Sequence, residues 1–135
     1  MSLIDTGPIV AIFDAGQDAH RQCVEAYQRI EDPLVTTLPC FTEAMHFLSK
    51  LGGWPMQQAL WQLWKRELLL IHHPNHSEYV RMSLLMERYR DTPMDFADAS
   101  LVTAAELLGV SLIFTLDSDF YVYRINDEDA FEVIP

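Results

Sequence analysis

Short apolar runs alternate with longer amphipathic stretches along almost the whole chain. Leu3-Ile4 is too short for a helix and unbroken by polar residues, as in a buried strand. Thr6-Gly7-Pro8 follows, with Pro8 suited to a first helical turn and Ile9, Val10, Ile12 and Phe13 completing an apolar helix. Asp14 to Asp18 reads as a turn. From Ala19, the spacing of Cys23, Ala26, Tyr27 and Ile30 predicts a second helix, stopped at Glu31-Asp32-Pro33.

Leu34-Val35-Thr36 reads as a second strand. Pro39 opens a helix whose inward stripe is Phe41, Ala44, Met45, Phe47, Leu48 and Leu51, ended by Gly52-Gly53. Pro55 starts another helix, with Leu60, Trp61, Leu63 and Trp64 as its apolar positions. Leu68 to Ile71 is a third strand. Ser77 to Tyr89 is a helix with Tyr79, Val80, Leu84 and Leu85 apolar, and Asp91-Thr92-Pro93 is a loop. Asp95 to Leu108 is the clearest helix, with Gly109 placed just beyond its end. Leu112 to Thr115 and Phe131 to Ile134 supply a fourth and a fifth strand. Strands separated by helices predict an α/β fold with a mainly parallel central sheet.

The chain of 135 residues is long enough for one domain with one buried core, and half of it is hydrophobic. No apolar run approaches the roughly 20 residues that span a bilayer. The amino end carries Asp5 inside its apolar start and no basic leader, so no secretory signal is predicted. Cys23 and Cys40 lack any C-x-x-C or zinc spacing and read as reduced, buried thiols of a cytoplasmic protein. Twenty acids against nine bases give a net charge of −11. That argues against broad electrostatic binding of nucleic acid, which rests on Lys and Arg contacts. It leaves open chemistry on phosphates in which a metal ion supplies positive charge locally.

The candidate chemistry lies in acids at element boundaries. In a parallel sheet, sites form beyond the carboxyl ends of the strands, where Asp5 and Asp117 both fall. Asp5 reads equally as the N-cap of the helix at Pro8 or as a ligand on a rigid strand end. Glu43 lies near the apolar stripe of its helix, where a carboxylate is expensive unless paired or metal-bound. Asp95 and Asp98 share one helix face: Asp95 suits the N-cap, whereas Asp98 is surrounded by Phe96, Ala97, Ala99, Leu101 and Val102 and is expected to point inward. Asp119 follows Asp117 in the same loop. Thr6 and Thr115 hydroxyls, with Asp95 and Asp119, are placed to support ligating carboxylates or water through hydrogen bonds. Four gathered carboxylates cannot all ionise without a compensating cation. Asp5, Glu43, Asp98 and Asp117 are therefore the expected metal ligands and catalytic residues, and all-oxygen ligation suits a hard divalent ion.

These segments also resemble a family. Leu3-Ile4-Asp5-Thr6, Thr42-Glu43, the run from Phe96 to Ala105, and Phe114-Thr115-Leu116-Asp117-Ser118-Asp119-Phe120 resemble the four acidic motifs of PIN domains in order and spacing. The resemblance spans nearly the whole chain, and its most specific part runs from Phe96 to Phe120. It implies a three-layer α/β/α sandwich and a Mg²⁺- or Mn²⁺-dependent endoribonuclease leaving a 5′-phosphate. Many members of this size are VapC-like toxins, which implies RNA as substrate and a small antitoxin with a basic segment as partner. The middle, from Leu51 to Asp91, carries no motif of the family.

Other readings fare less well. A haloacid-dehalogenase-type phosphatase wants a second Asp where Gly7 stands, and the lysines, Lys50 and Lys65, are remote in sequence from the acid motifs. A non-catalytic partner-binding module would suit the negative charge but gains little from clustered like charges. His72, His73 and His76 read as solvated loop residues beside Pro74. Trp54, Trp61 and Trp64 read as core or as a homodimer interface along the helix from Pro55 to Trp64.

Overall fold

The computed structural model describes residues 1–30 and 33–135. Glu31 and Asp32, read above as part of a helix stop, lie outside the described residues. In chain order the first half contains β1 (Ser2–Ile4), α1 (Thr6–Phe13), α2 (His20–Arg29), β2 (Leu34–Thr37), α3 (Leu38–Gly52) and α4 (Trp54–Lys65). The second half contains β3 (Leu69–His72), α5 (His76–Arg88), α6 (Phe96–Leu108), β4 (Leu112–Phe114), a 3₁₀ turn (Ser118–Tyr121), β5 (Arg124–Ile125), β6 (Asp129–Ala130) and β7 (Glu132–Ile134). Five strands pair side by side in the order β3-β2-β1-β4-β7, every neighbouring pair parallel.

Alternation along the strands divides the core between two faces. Leu3, Val35 and Ile113 pack with Met82 and Leu85 of α5 and with Leu101 and Val102 of α6. Ile4, Leu34 and Phe114 pack on the other face with Ile9, Cys23, Phe41 and Leu60, from α1 to α4. The result is the expected α/β/α sandwich with a parallel sheet in the middle. Cys23 and Cys40 are buried and form no disulfide. Among the described residues no helix is long and apolar enough to cross a membrane.

Helix starts are set by side-chain caps. α1 begins at Thr6 rather than Pro8, because Asp5 caps it and the ring of Pro8 fits a first turn whose N–H groups have no helical acceptor. Asn75 with Glu78, and Asp95 with Asp98, close reciprocal capping boxes at α5 and α6. Gly109 ends α6 at φ 67°, a left-handed conformation that a side chain would strain.

Some apolar positions face outward instead of inward. On α5 the buried face is Glu78, Met82 and Leu85, continued by Tyr89, so Tyr79, Val80 and Leu84 fall on the solvent side. On α3, Phe47 and Leu51 are exposed although Phe41, Ala44 and Leu48 are buried. Trp54 and Trp64 are also exposed, and of the three tryptophans Trp61 packs inward, edge-on to Phe41 at 5.3 Å. The antiparallel ribbon of β5 and β6 had no counterpart in the sequence pattern. Arg81 secures it, bonding Glu106 of α6 at 3.0 Å through two nitrogens and Asp127 in the ribbon turn at 2.9 Å.

The turned face of α5 gives a direct test. Leu85→Ala is expected to lower unfolding stability by about 2–5 kcal/mol, and Leu84→Glu to change it by less than about 0.5 kcal/mol. Denaturant midpoints of the two variants check this, and equal losses would place α5 in a different orientation.

Candidate active site

The carboxyl ends of β1 and β4 lie side by side, since Leu3 pairs with Ile113 and Ile4 with Phe114. Asp5 leaves the sheet at this point, its own N–H bonded to the Phe114 carbonyl at 3.0 Å. Its Oδ1 accepts the Thr6 N–H at 2.7 Å and the Cys40 thiol at 3.7 Å, and its Oδ2 accepts the Thr115 hydroxyl at 2.8 Å. The cap and the site readings of Asp5 therefore describe one side chain held in one place. Burial pushes its proton affinity up, the two hydrogen bonds from Thr115 and Thr6 pull it down, and the charges of Asp117 and Asp95 push it up again.

Asp98 is at the third position of α6 and only 7% exposed, in keeping with the inward orientation expected of it. Its Oδ2 accepts the Tyr123 hydroxyl at 3.0 Å and the Asp95 N–H at 3.4 Å. Burial, followed by the charge of Asp95, pushes its carboxyl up to about 7. Glu43 stands exposed on α3, with the Thr6 hydroxyl 3.5 Å from its Oε2. Its proton affinity is raised by desolvation first, then by Asp95 and Asp5. Asp117 caps the 3₁₀ turn, accepting the Asp119 N–H at 2.9 Å, while its own N–H reaches the Thr115 hydroxyl at 3.0 Å. Thr115 thus bridges Asp5 and Asp117.

Asp5, Glu43, Asp98 and Asp117 line one open cleft of about 590 Å³, and Asp95 lines it with them. Asp119 is not among its walls; it serves the neighbouring turn through its backbone. Lys50, on the same helix as Glu43, also lines the cleft, together with exposed Phe47, Leu51 and Leu116 at its rim. Glu43, Phe47, Lys50 and Leu51 share one face of α3, which explains why part of the expected inward stripe is exposed. A cavity of about 610 Å³ beside α2 and β7 has Arg29 as well as Glu25 and Glu132 in its walls, so it does not gather like charges.

Two further residue groups are placed differently from their sequence reading. His72 is no solvated loop histidine: it ends β3 and bonds the buried Glu78 at 2.7 Å, while His73 and His76 are exposed. Tyr123, fully buried behind Asp98, is the site neighbour that sequence reasoning missed. Its place among apolar neighbours, three residues after Phe120, was the available signal.

The donor set of the cleft is carboxylate and hydroxyl oxygen. Cys40 adds no thiolate, because burial, with the Asp5 charge beside it, pushes the thiol up to about 12. Among the described residues, no three His, Cys, Asp or Glu side chains form a ready-made ion cage. An open set of oxygens fits Mg²⁺ or Mn²⁺, which keep water ligands and take only one or two carboxylates directly.

No protein-family model and no curated protein matches this sequence. Solved structures do match the fold. VapC20 of Mycobacterium tuberculosis, described as a sarcin–ricin loop cleaving toxin, aligns over 100% of both chains with a TM-score of 0.84 at 16% identity. A toxin–antitoxin complex from Klebsiella pneumoniae aligns over 89% of this chain and 90% of its own, with a TM-score of 0.70 and 19% identity. VapBC2 of Rickettsia felis, bound to a fragment of promoter DNA, gives 0.69 at 12% identity over 99% and 98%. The chain has the fold of these VapC structures, the PIN-like sandwich that its acidic motifs resemble.

The raised carboxyls set a pH dependence for the metal-free protein. Asp98 binds its proton more tightly when folded than at its ordinary value of 3.8, so its contribution to stability is full below 3.8 and is lost as pH rises through about 7. Asp5 and Glu43 act in the same direction. In chelator, Tm is expected to fall between about pH 5 and about pH 8, and Asp98→Asn to flatten that fall. Thermal melts across this range check it; identical slopes in both proteins would contradict it.

Proposed function

We propose that this chain is a metal-dependent endoribonuclease that hydrolyses RNA phosphodiester bonds, acting as the toxin of a toxin–antitoxin pair. The observation that carries the reading is the convergence of Asp5, Glu43, Asp95, Asp98 and Asp117 on one cleft at the carboxyl edge of a parallel sheet. Gathering like charges in one cleft destabilises the fold unless a cation compensates them, so the arrangement suits catalysis better than structure. The likeness to VapC structures supports the same reading.

Asp5, Asp98 and Asp117 are assigned to hold Mg²⁺ or Mn²⁺, and Glu43 to hold the ion or to orient the attacking water. When bound, the ion supplies positive charge to the scissile phosphate and makes water a better nucleophile. The protein's own part is positional. Thr115 holds Asp5 and the backbone of Asp117 in a fixed relation. Glu43, exposed and with raised proton affinity, is suited to accept the proton of the attacking water. That water attacks phosphorus, the bond to the 3′ oxygen breaks, the leaving 3′ oxygen takes a proton from solvent, and a 5′-phosphate and a 3′-hydroxyl result. Lys50 is the basic side chain in the cleft wall, placed to meet an RNA phosphate.

For the toxin role we assign a small antitoxin whose basic segment fills the acidic cleft and directs an Arg at the carboxylates. The exposed Trp54 and Trp64 on α4 suit a face covered by a second copy. The RNA to offer first is the sarcin–ricin loop, the target named for VapC20.

Purified protein is expected to cleave structured RNA in Mn²⁺ and to stop on chelation. Asp5→Asn and Asp98→Asn should each lower the rate by at least about a hundredfold while the protein stays folded by circular dichroism. Undiminished cleavage by both variants would remove the assignment.

A further inference from the structure

The segment that follows β4 wraps around Asp98 from two sides. Asp117, at its start, lines the cleft; Tyr123, at its end, lies behind Asp98 with no exposed surface. Between them the chain makes one tight turn, with the Val122 and Tyr123 N–H groups both bonded to the Asp119 carbonyl, at 2.8 and 3.1 Å. The Tyr123 ring is held edge-on by Tyr89 and by Phe120, each at 5.1 Å, and Phe120 is held in turn by Phe131 at 5.4 Å. Rings from the end of α5, the 3₁₀ turn and the start of β7 therefore fix where the Tyr123 hydroxyl sits. That hydroxyl donates to Asp98 Oδ2 at 3.0 Å, the oxygen that also faces the Asp95 N–H.

On the reading that Asp98 holds a divalent ion, we propose that Tyr123 is the positioning residue of that carboxylate. Two donors on Oδ2 stop the carboxylate from turning about its terminal torsion, a broad and easily turned one in an unrestrained Asp. Oδ1 is then the oxygen left for the cation. A phenol suits this task in a low-dielectric pocket: it donates one strong bond to an anion and carries no charge that would compete with the metal. Outer partners that orient a ligand set metal affinity by about 10- to 100-fold. The hydroxyl of Tyr89 in the same cluster has a different task, accepting the Arg124 N–H at 3.2 Å. It is the internal control.

The experiment is calorimetric titration of Mn²⁺ into the RNA-free protein and its Tyr123→Phe and Tyr89→Phe variants, followed by cleavage assays across Mn²⁺ concentration. Tyr123→Phe is expected to bind Mn²⁺ about tenfold more weakly or worse, and to regain most of its rate at saturating Mn²⁺. Tyr89→Phe should bind as the parent does. Parental affinity in Tyr123→Phe, or an equal loss in Tyr89→Phe, overturns the proposal while leaving the nuclease reading intact. No Mn²⁺ binding by the parent would remove both. If Tyr123→Phe does not fold, the Asp98→Asn/Tyr123→Phe double variant decides: its folding supports a hydroxyl devoted to the carboxylate, and its failure overturns that.

Discussion

Repulsion among like charges is the constraint around which this molecule is arranged. Asp5, Asp95, Asp98 and Asp117 are brought together by strand ends and helix starts, and Glu43 faces them from α3. Each is held by donors that carry no positive charge: the Thr6 and Asp119 N–H groups, the Thr115 and Tyr123 hydroxyls, the Cys40 thiol. Such donors orient a carboxylate without neutralising it. Burial first, and the neighbouring carboxylates after it, raise the proton affinity of Asp5, Glu43 and Asp98. Elsewhere the same protein handles its acids differently, giving Glu106 and Asp127 an Arg81 partner. The contrast sets the cleft apart from the acids that Arg81 partners.

Caps explain how a structural device and a chemical one coexist. Asp5, Asp95 and Asp117 each accept a backbone N–H at the start of a helix or 3₁₀ turn, which fixes their direction. Weighing cap against ligand treats as rivals two tasks that share one geometry. At Asp5 the cap engages Oδ1 and the Thr115 hydroxyl engages Oδ2, and each carboxylate oxygen can accept more than one bond.

Much of this was legible in the residues. Five short, mainly apolar runs mark the five sheet strands; β1 and β2 are buried along their whole length, whereas the edge strands β3 and β7 are partly exposed. The gathering of Asp5 with Asp117 follows from parallel strands ending on one edge, and that of Asp98 from its apolar neighbours within α6. What was not legible depends on partners distant in sequence. Phe47 and Leu51 continue the stripe of α3, and nothing local says that the helix runs out past the core into the cleft rim. Lys50 lines the cleft for the same reason. Strands of two residues, as in the ribbon, leave no alternation to read. His72 looked solvated beside Pro74 because its partner, Glu78, stands on the next helix, six residues on.

The central claim is that the acidic cleft is completed by a divalent ion displacing protons. It is tested most directly by titrating Mn²⁺ into the protein near neutral pH in two buffers of different ionisation enthalpy. The account predicts saturable binding with net proton release, since burial raises the proton affinity of Asp98 to about 7 and a bound ion would displace that proton to the buffer. Heats that show no saturable binding would contradict it, as would binding that survives unchanged in Asp98→Asn.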